Sequence, residues 1–200
     1  MIKAIVITGF ILSIFIFNDC GEIDCPGFPP SFLKWAPYNT LDTLKFWDGH
    51  NNLTFSVVQK SLTGPHSFKK NCKCECEADM SFKATDESSQ QIIGSFSALT
   101  NNDPREYYLG CQLSILSNEF FFGITANQDS FYYERQLYPM SDTLISGINH
   151  KMVVLTVDLS SSNELLNPVF KIGKIFYVEG IGLIKFQELD SLKKWELVEH

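Results

Sequence analysis

The sequence predicts an all-β domain, a curved antiparallel sheet or partly closed barrel of roughly 9–11 strands, preceded by an N-terminal signal helix. Aromatic residues make up 14% of the chain, with seventeen Phe and seven Tyr, and such residues favour pleated, half-buried strands. Short segments of strand character alternate with loops rich in Asn, Asp, Ser and Gly. No amphipathic window is long enough for a crossover helix, which favours consecutive hairpins. A two-sheet β-sandwich fits the same composition and stays open as the alternative.

Composition limits both the number of domains and the kinds of partner. A chain of 200 residues with 44% hydrophobic content can bury one core, so we expect a single β domain over residues 31–200. The formal net charge is -7 and the cationic residues form no stripe, so nucleic acid is not an expected partner. The same charge disfavours electrostatic attachment to anionic lipids, so membrane association would require an anchor.

Residues 1–19 are predicted to form a signal peptide. After Lys3 comes the apolar or small run Ala4–Phe17, which as a helix would span about 21 Å, whereas the hydrocarbon core of a membrane is roughly 30 Å thick. Export is therefore favoured over a transmembrane span, and a buried core helix is the other alternative. Cys20 follows this run directly, as in a bacterial lipoprotein signal, although Asp19 occupies a position where such signals have a small residue. We expect lipidation at Cys20.

The signal is followed by a predicted tether over residues 20–30, which contains the Pro and Gly of loop segments. Ser31 is expected to cap a single helical turn that ends before Pro37. The first two strands, Thr43–Trp47 and Leu53–Val58, flank an Asp-Gly turn and predict a β-hairpin. Further strands are expected at Cys72–Ala84, Gln91–Leu99, Glu106–Leu116, Glu119–Thr125, Ser130–Leu137, Lys151–Leu159, Lys171–Glu179, Gly182–Leu189 and Lys194–Val198. Loops are expected at 61–66, 100–104 and 160–168.

The cysteines indicate disulfide chemistry in an oxidising compartment. Five candidates remain when Cys20 carries lipid, namely Cys25, Cys72, Cys74, Cys76 and Cys111. The three at alternate positions share one face of a strand. They could converge on a soft metal ion, but successive Cα atoms lie about 6.6 Å apart along a strand, and neither a CxxC spacing nor a nearby His completes a set. We therefore expect disulfides with an undetermined connectivity, and neither a metal site nor a cofactor.

Three segments carry a resemblance to known proteins. Residues 29–38 read Pro-Pro-Ser-Phe-Leu-Lys-Trp-Ala-Pro-Tyr and are followed by Asp-Thr-Leu-Lys-Phe, a Gly/Asn turn and Leu-Thr-Phe-Ser-Val. With Asn71–Glu77 and the closing Lys174–Phe186, this order resembles small exported lipoproteins of the Bacteroidetes type. The resemblance implies an envelope location, most simply the outer membrane, and it brings no catalytic residues with it.

Catalytic patterns are weak throughout the chain. His50, His66 and His150 lie in predicted turns, His200 ends the chain, and no Gly-x-Ser-x-Gly elbow is present. Pairs of carboxylates could be drawn from many Asp and Glu residues, so none of them is informative. We predict that the protein is not an enzyme, and we name no catalytic residue.

Aromatic runs give the strongest side-chain signal. Phe120, Phe122, Tyr133 and Phe176 are the candidates for an apolar ligand or interface site, since they belong to runs in adjacent predicted strands. Such runs most simply supply core and cross-strand pairs. They could also line an apolar cavity in a half-closed barrel or form a patch for a partner protein.

The combined expectation is a non-enzymatic lipoprotein of the bacterial cell envelope, held to the membrane by an N-terminal lipid. Its β domain would act as a binding or accessory module, with another envelope protein or a lipid-like molecule as partner. The alternative is a carrier or sensor that holds a hydrophobic ligand within the curved sheet.

Overall fold

The computed structural model describes Cys25 and residues 27–70, 73–100, 108–125, 127–156, 171–189 and 193–199. These residues form one antiparallel sheet of thirteen strands that curves into a nearly closed barrel. The all-β prediction is confirmed, and the described residues form two strands more than its upper limit. The predicted signal peptide and Cys20 lie outside the described residues.

The strands follow one another along the chain after a short N-terminal helix. The helix is α1 (Pro30–Leu33), and the strands are β1 (Thr43–Trp47), β2 (Asn52–Lys70), β3 (Lys73–Thr85), β4 (Gln91–Thr100), β5 (Tyr108–Ile115), β6 (Asn118–Thr125), β7 (Ser130–Tyr133), β8 (Gln136–Pro139), β9 (Ser141–Ile145), β10 (Ile148–Thr156), β11 (Ile172–Val178), β12 (Gly182–Glu188) and β13 (Lys194–Glu199). Within the described residues, no helix is long and apolar enough to cross a membrane.

The sheet is a meander in which consecutive strands pair, and it closes on itself between its first and last strands. β1 pairs with β2 on one side and with β13 on the other, so that Lys45 lies opposite Glu199. The two ends of the sheet order are β8 and β9. The chain passes between them through Met140, whose backbone N–H donates to the carbonyl of Asp129 at 2.8 Å. The opening in the barrel is therefore a seam between two strands that are adjacent in sequence.

Aromatic side chains fill the interior of the barrel. Tyr177 lies at the centre of this cluster, with its ring centroid 6.3 Å from that of Phe96 and 6.2 Å from that of Phe122. Phe46 and Phe186 pack edge to face at 5.3 Å near the closure of the sheet. All five side chains are at most 5% exposed. Alternation along each strand directs these residues inward, because successive side chains of a strand point to opposite faces.

The segment around α1 packs inside the barrel and is fixed there by hydrogen bonds from β11 and β12. The Tyr177 hydroxyl donates to the Trp35 carbonyl at 2.6 Å, and the Leu183 N–H donates to the Tyr38 hydroxyl at 2.5 Å. Trp35 and Tyr38 are both fully buried. Burial raises the pKa of Tyr38 well above its usual range, and the bond from Leu183 offsets part of that rise. The predicted helical turn exists, but it begins at Pro30 after Pro29 and has no side-chain cap, so the assignment of Ser31 as cap was wrong.

A disulfide between Cys25 and Cys76 ties the start of the described chain to β3. Cys111, in β5, is a buried free thiol. Cys72 and the side chain of Cys74 lie outside what the structure describes. One pairing of the predicted disulfide set is thus present.

The structure differs from the predicted strand pattern most at three places. The loop expected at 61–66 is part of β2, where Pro65 falls in an irregularity of the pairing between Thr63 and His66. A single strand was expected over Ser130–Leu137, but the structure has the hairpin of β7 and β8. Strand β9 was not predicted. Its side chains are exposed or half-buried, so this strand does not need the alternating apolar pattern by which buried strands are recognised in a sequence.

Candidate functional site

An open groove of about 580 Å³ crosses the outer face of strands β4, β5, β6 and β7. Its lining combines small, aromatic and charged residues: Ser95, Ser97, Gly110, Cys111, Gln112, Phe121, Phe122, Gly123, Tyr132, Glu134 and Arg135. The groove runs across the strands, so its residues come from neighbouring positions in the register.

Two facing glycines form the floor of the groove. Gly110 of β5 lies directly opposite Gly123 of β6, with Ser97 beyond one and Tyr132 beyond the other in the same row. Neither glycine has a positive φ, so the backbone at both positions is ordinary strand. Glycine inside a strand often marks a place where a ligand or another backbone approaches closely. The surface is recessed along this row because the two glycines carry no side chain.

The aromatic border of the groove consists of Phe121 and Tyr132. Their side chains are 57% and 48% exposed, and each has core residues as chain neighbours. Phe121 lies opposite Gln112, whose amide nitrogen donates to the Glu119 carboxylate at 3.1 Å. Two aromatic rings therefore stand beside the glycine floor and are open to solvent.

Polar side chains of β4 line the groove, and polar side chains of β3 lie beside them. The Ser97 hydroxyl donates to a carboxylate oxygen of Asp79 at 2.5 Å. In the adjacent row, the hydroxyls of Ser81 and Ser61 are 2.7 Å apart, and Ser95 lies opposite Ser81.

The turn between β7 and β8 forms the remaining border. β7 pairs with β6 at only two positions, so the tip of this hairpin diverges from β6. Glu134 and Arg135 make the turn with φ values of 48° and 66°. A two-residue turn with both φ values positive matches the right-handed twist of the flanking strands. Both side chains line the groove.

Cys111 lies behind the groove floor with its side chain on the core side. Its thiol donates to the carbonyl of Leu109 at 3.7 Å, and burial raises its pKa well above the usual range. Because the thiolate is the nucleophilic form, this thiol is poorly suited to covalent chemistry.

The predicted aromatic candidates do not form one surface. Phe120 and Phe122 point into the core, and Tyr133 is partly buried against it. Phe176 lies on the outer face of β11, on the other side of the seam. Lys174 and Lys185 place their ammonium groups 5.1 and 5.7 Å from its ring centroid. These contacts are cation–π interactions.

Sequence reasoning missed the residues that make the groove. Phe121 and Tyr132 belong to the aromatic runs that supplied the predicted candidates. Which face of the sheet carries each side chain depends on the register of the strand pairing. Gly110 and Gly123 are thirteen positions apart in the sequence and meet only through the pairing of β5 with β6.

Three of the four histidines lie among the described residues. His50 lies in the turn after β1, His66 and His150 lie in strands rather than in the expected turns, and His200 is outside the described residues. The Nδ1 atom of His150 is 2.9 Å from the carbonyl oxygen of Glu179. Among the described residues, no group of three or more His, Cys, Asp or Glu side chains is placed to hold a metal ion.

Comparison with known proteins leaves the groove as the main guide to function. No family model matches the chain, and no curated protein and no solved structure matches it either.

Proposed function

We propose that this protein is a non-enzymatic lipoprotein of the bacterial cell envelope that binds another molecule in the groove on the outer face of β4–β7. Cys20 carries the lipid that holds it at the outer membrane. The observation that carries the binding role is the pair of exposed rings, Phe121 and Tyr132, beside the facing glycines of the groove floor. Exposed aromatic residues around a concave site are typical of binding surfaces.

The packing of the barrel favours this groove over the interior as the binding site. Tyr177, Phe96 and Phe122 pack against one another where an internal ligand would lie. Small barrels whose interior is filled by side chains leave little room for a ligand. A carrier that holds a hydrophobic molecule inside the sheet is therefore the less supported alternative.

The chemistry of the groove also favours binding over catalysis. Asp79 already accepts a hydrogen bond from Ser97, and the thiol of Cys111 is turned towards the core with a raised pKa. General acid–base catalysis and nucleophilic catalysis need a proton acceptor beside the reacting group. A serine nucleophile is ordinarily activated by a histidine or lysine base, and neither residue type is among the described residues that line the groove. The groove residues therefore offer shape and hydrogen bonds rather than an activated nucleophile.

Mass spectrometry of the protein extracted from its native envelope tests the anchor. We expect a polypeptide that begins at Cys20 and carries diacylglyceryl and acyl groups, in accordance with a durable attachment by several acyl chains. An unmodified polypeptide with a different first residue would contradict the lipoprotein assignment. Spectra under non-denaturing conditions would also reveal a bound small molecule, and an apolar adduct that survives Phe121→Ser would favour the internal carrier.

A substitution at Asp19 tests the processing signal. Asp19→Ala restores a small residue before Cys20, and we expect faster maturation of the precursor, measured by pulse labelling. Asn18→Ala is the matched control, because it changes the neighbouring position. Equal maturation rates for the wild type and both variants would speak against lipidation at Cys20.

A further inference from the structure

We propose that the groove binds a neutral oligosaccharide. This inference rests on the proposed binding role and adds the chemical class of the ligand. It follows from the combination of exposed rings, a side-chain-free floor, fixed polar groups and neighbouring carboxylates at one groove.

The rings and the floor suit a flat ligand with an apolar face. Aromatic faces are electronegative and attract the weakly positive C–H groups that cover one side of a sugar ring. Phe121 and Tyr132 offer such rings to solvent, while Gly110 and Gly123 allow a ligand to approach the backbone. A sugar ring could thus lie over the glycines and stack against an aromatic side chain.

The polar groups suit the hydroxyls of the same ligand. Sugar hydroxyls donate and accept hydrogen bonds, so they match carboxylates, amides and serine hydroxyls. The Ser97 hydroxyl lines the groove and donates to Asp79, so its oxygen lone pairs can accept from a ligand. The bond from Gln112 to Glu119 orients the Gln112 amide beside Phe121. These contacts fix the polar groups before a ligand arrives, which lowers the entropy cost of binding.

The charges of the groove margin oppose an anionic ligand. Glu134 and Arg135 are the charged residues that line the groove, and the carboxylates of Asp79 and Glu119 lie beside it as hydrogen-bond acceptors for Ser97 and Gln112. The whole chain carries a net charge of -7. Phosphorylated ligands and acidic polysaccharides would therefore meet like charge, while an uncharged sugar would not.

The strand pairing disfavours an extended peptide as the ligand. β4 pairs with β3 and β5, and β5 pairs with β4 and β6, so the backbone groups along the groove already take part in the ladder. A peptide could not add itself as a strand here and would lose the main-chain hydrogen bonds of that mode. The open shape likewise disfavours a lipid chain, which binding pockets bury over most of its surface.

The length of the groove favours several sugar rings over one. The row from Ser97 on β4 to Tyr132 on β7 crosses four strands. With strands about 4.8 Å apart, that path is roughly 14 Å long. Polar groups lie at the β4 end and aromatic rings at the other, so a chain of sugars could use both.

The test measures binding of the mature protein, purified from its envelope in detergent, to immobilised neutral oligosaccharides built from glucose, mannose, galactose, xylose or N-acetylglucosamine. Polygalacturonate serves as the acidic counter-probe. We expect at least one neutral oligosaccharide to bind and polygalacturonate not to bind. Phe121→Ser and Tyr132→Ser should each weaken that binding about tenfold, which corresponds to the loss of one stacking contact.

Two further variants distinguish a loss of binding in the groove from a loss of the fold. Gly123→Val places a side chain on the floor at a backbone conformation that valine adopts readily, so we expect binding to be lost and thermal stability to be retained. Trp47→Ser is the matched control, because Trp47 is 47% exposed on β1 outside the groove, and it should leave affinity unchanged.

Two outcomes would overturn the inference. One is the absence of binding to every neutral oligosaccharide, and the other is binding that Gly123→Val and Phe121→Ser leave intact. Preferential binding of polygalacturonate that is lost in Phe121→Ser would replace the neutral saccharide by an acidic one. Those results would leave the proposed envelope lipoprotein standing, because the mass at Cys20 tests that assignment independently.

Discussion

The two faces of strands β4–β6 share one backbone and have opposite roles. On the inner face, Phe120 and Phe96 are at most 1% exposed, whereas Phe121 on the outer face is 57% exposed. The glycines differ in the same way. Inward-facing Gly94 lies under the ring of Phe82, while Gly123 on the outer face forms the floor of the groove. The difference shows that identical residue types serve the core or the candidate site according to register alone.

A phenylalanine pair gives the largest expected contrast. Phe120→Ala removes a buried ring and should lower the free energy of unfolding by about 3–5 kcal/mol. Phe121→Ala removes an exposed ring one position away and should change it by less than about 0.5 kcal/mol. Denaturant unfolding of both variants measures the difference. Equal losses would mean that β6 does not have the inward and outward faces described above.

A glycine pair extends the contrast to positions without side chains. The Cβ of Gly94→Ala would lie 2.2 Å from a ring carbon of Phe82, so the core must shift, at a cost of about 2–3 kcal/mol. Gly123→Ala places its methyl group on the outer face and should leave stability unchanged or raise it slightly. Thermal unfolding of the two variants distinguishes these outcomes. A stable Gly94→Ala variant would show that the Phe82 ring moves freely.

A tyrosine pair tests the same contrast with hydrogen bonds. Tyr38→Phe removes the acceptor of the buried Leu183 N–H and should cost about 1–2 kcal/mol. Tyr132→Phe removes a hydroxyl from a half-exposed ring and should be nearly neutral for stability. Hydrogen exchange at the Leu183 amide provides a local measurement, and unchanged protection in Tyr38→Phe would contradict the hydrogen bond.

The sequence was sufficient to predict the all-β class, the meander and most strand positions. β1 was predicted with its observed bounds because an Asp-Gly turn follows it and its apolar residues alternate. The extension of β2 was missed because Gly64 and Pro65 are typical of loops, although Pro is tolerated at an irregularity in the pairing. The turn between β7 and β8 was missed because Glu134 and Arg135 adopt positive φ without the usual Gly or Asn.

The groove could not be predicted because it depends on lateral contacts between strands. A shift of one residue in the pairing would turn Phe121 inward and Phe120 outward, so an aromatic run alone does not assign a face. The disulfide pairing could not be predicted for the same reason. Cys25 meets Cys76 because the segment around α1 packs into the barrel. Only the three-dimensional register selects among the pairings that five candidate cysteines allow.

The smallest expected effect on stability near neutral pH comes from the ionisation of buried tyrosines. It tests the inner face of the sheet. Burial raises the pKa of Tyr38 and of Tyr177 above the ordinary tyrosine value, which is near 10. Both groups therefore hold their protons more tightly in the folded chain than in the unfolded chain. Their contribution to stability is complete below pH of about 10 and is lost as the pH rises further.

An alkaline titration tests this effect by following two signals together. The absorbance of tyrosinate reports ionisation, and circular dichroism reports whether the sheet is still folded. We expect Tyr38 and Tyr177 to ionise only as the sheet unfolds, and one fewer such group in Tyr38→Phe. Titration of all seven tyrosines while the sheet stays folded would show that the interior admits a phenolate. In that case the interior would also be open enough to reconsider as a ligand site, and the contrast between the two faces would weaken.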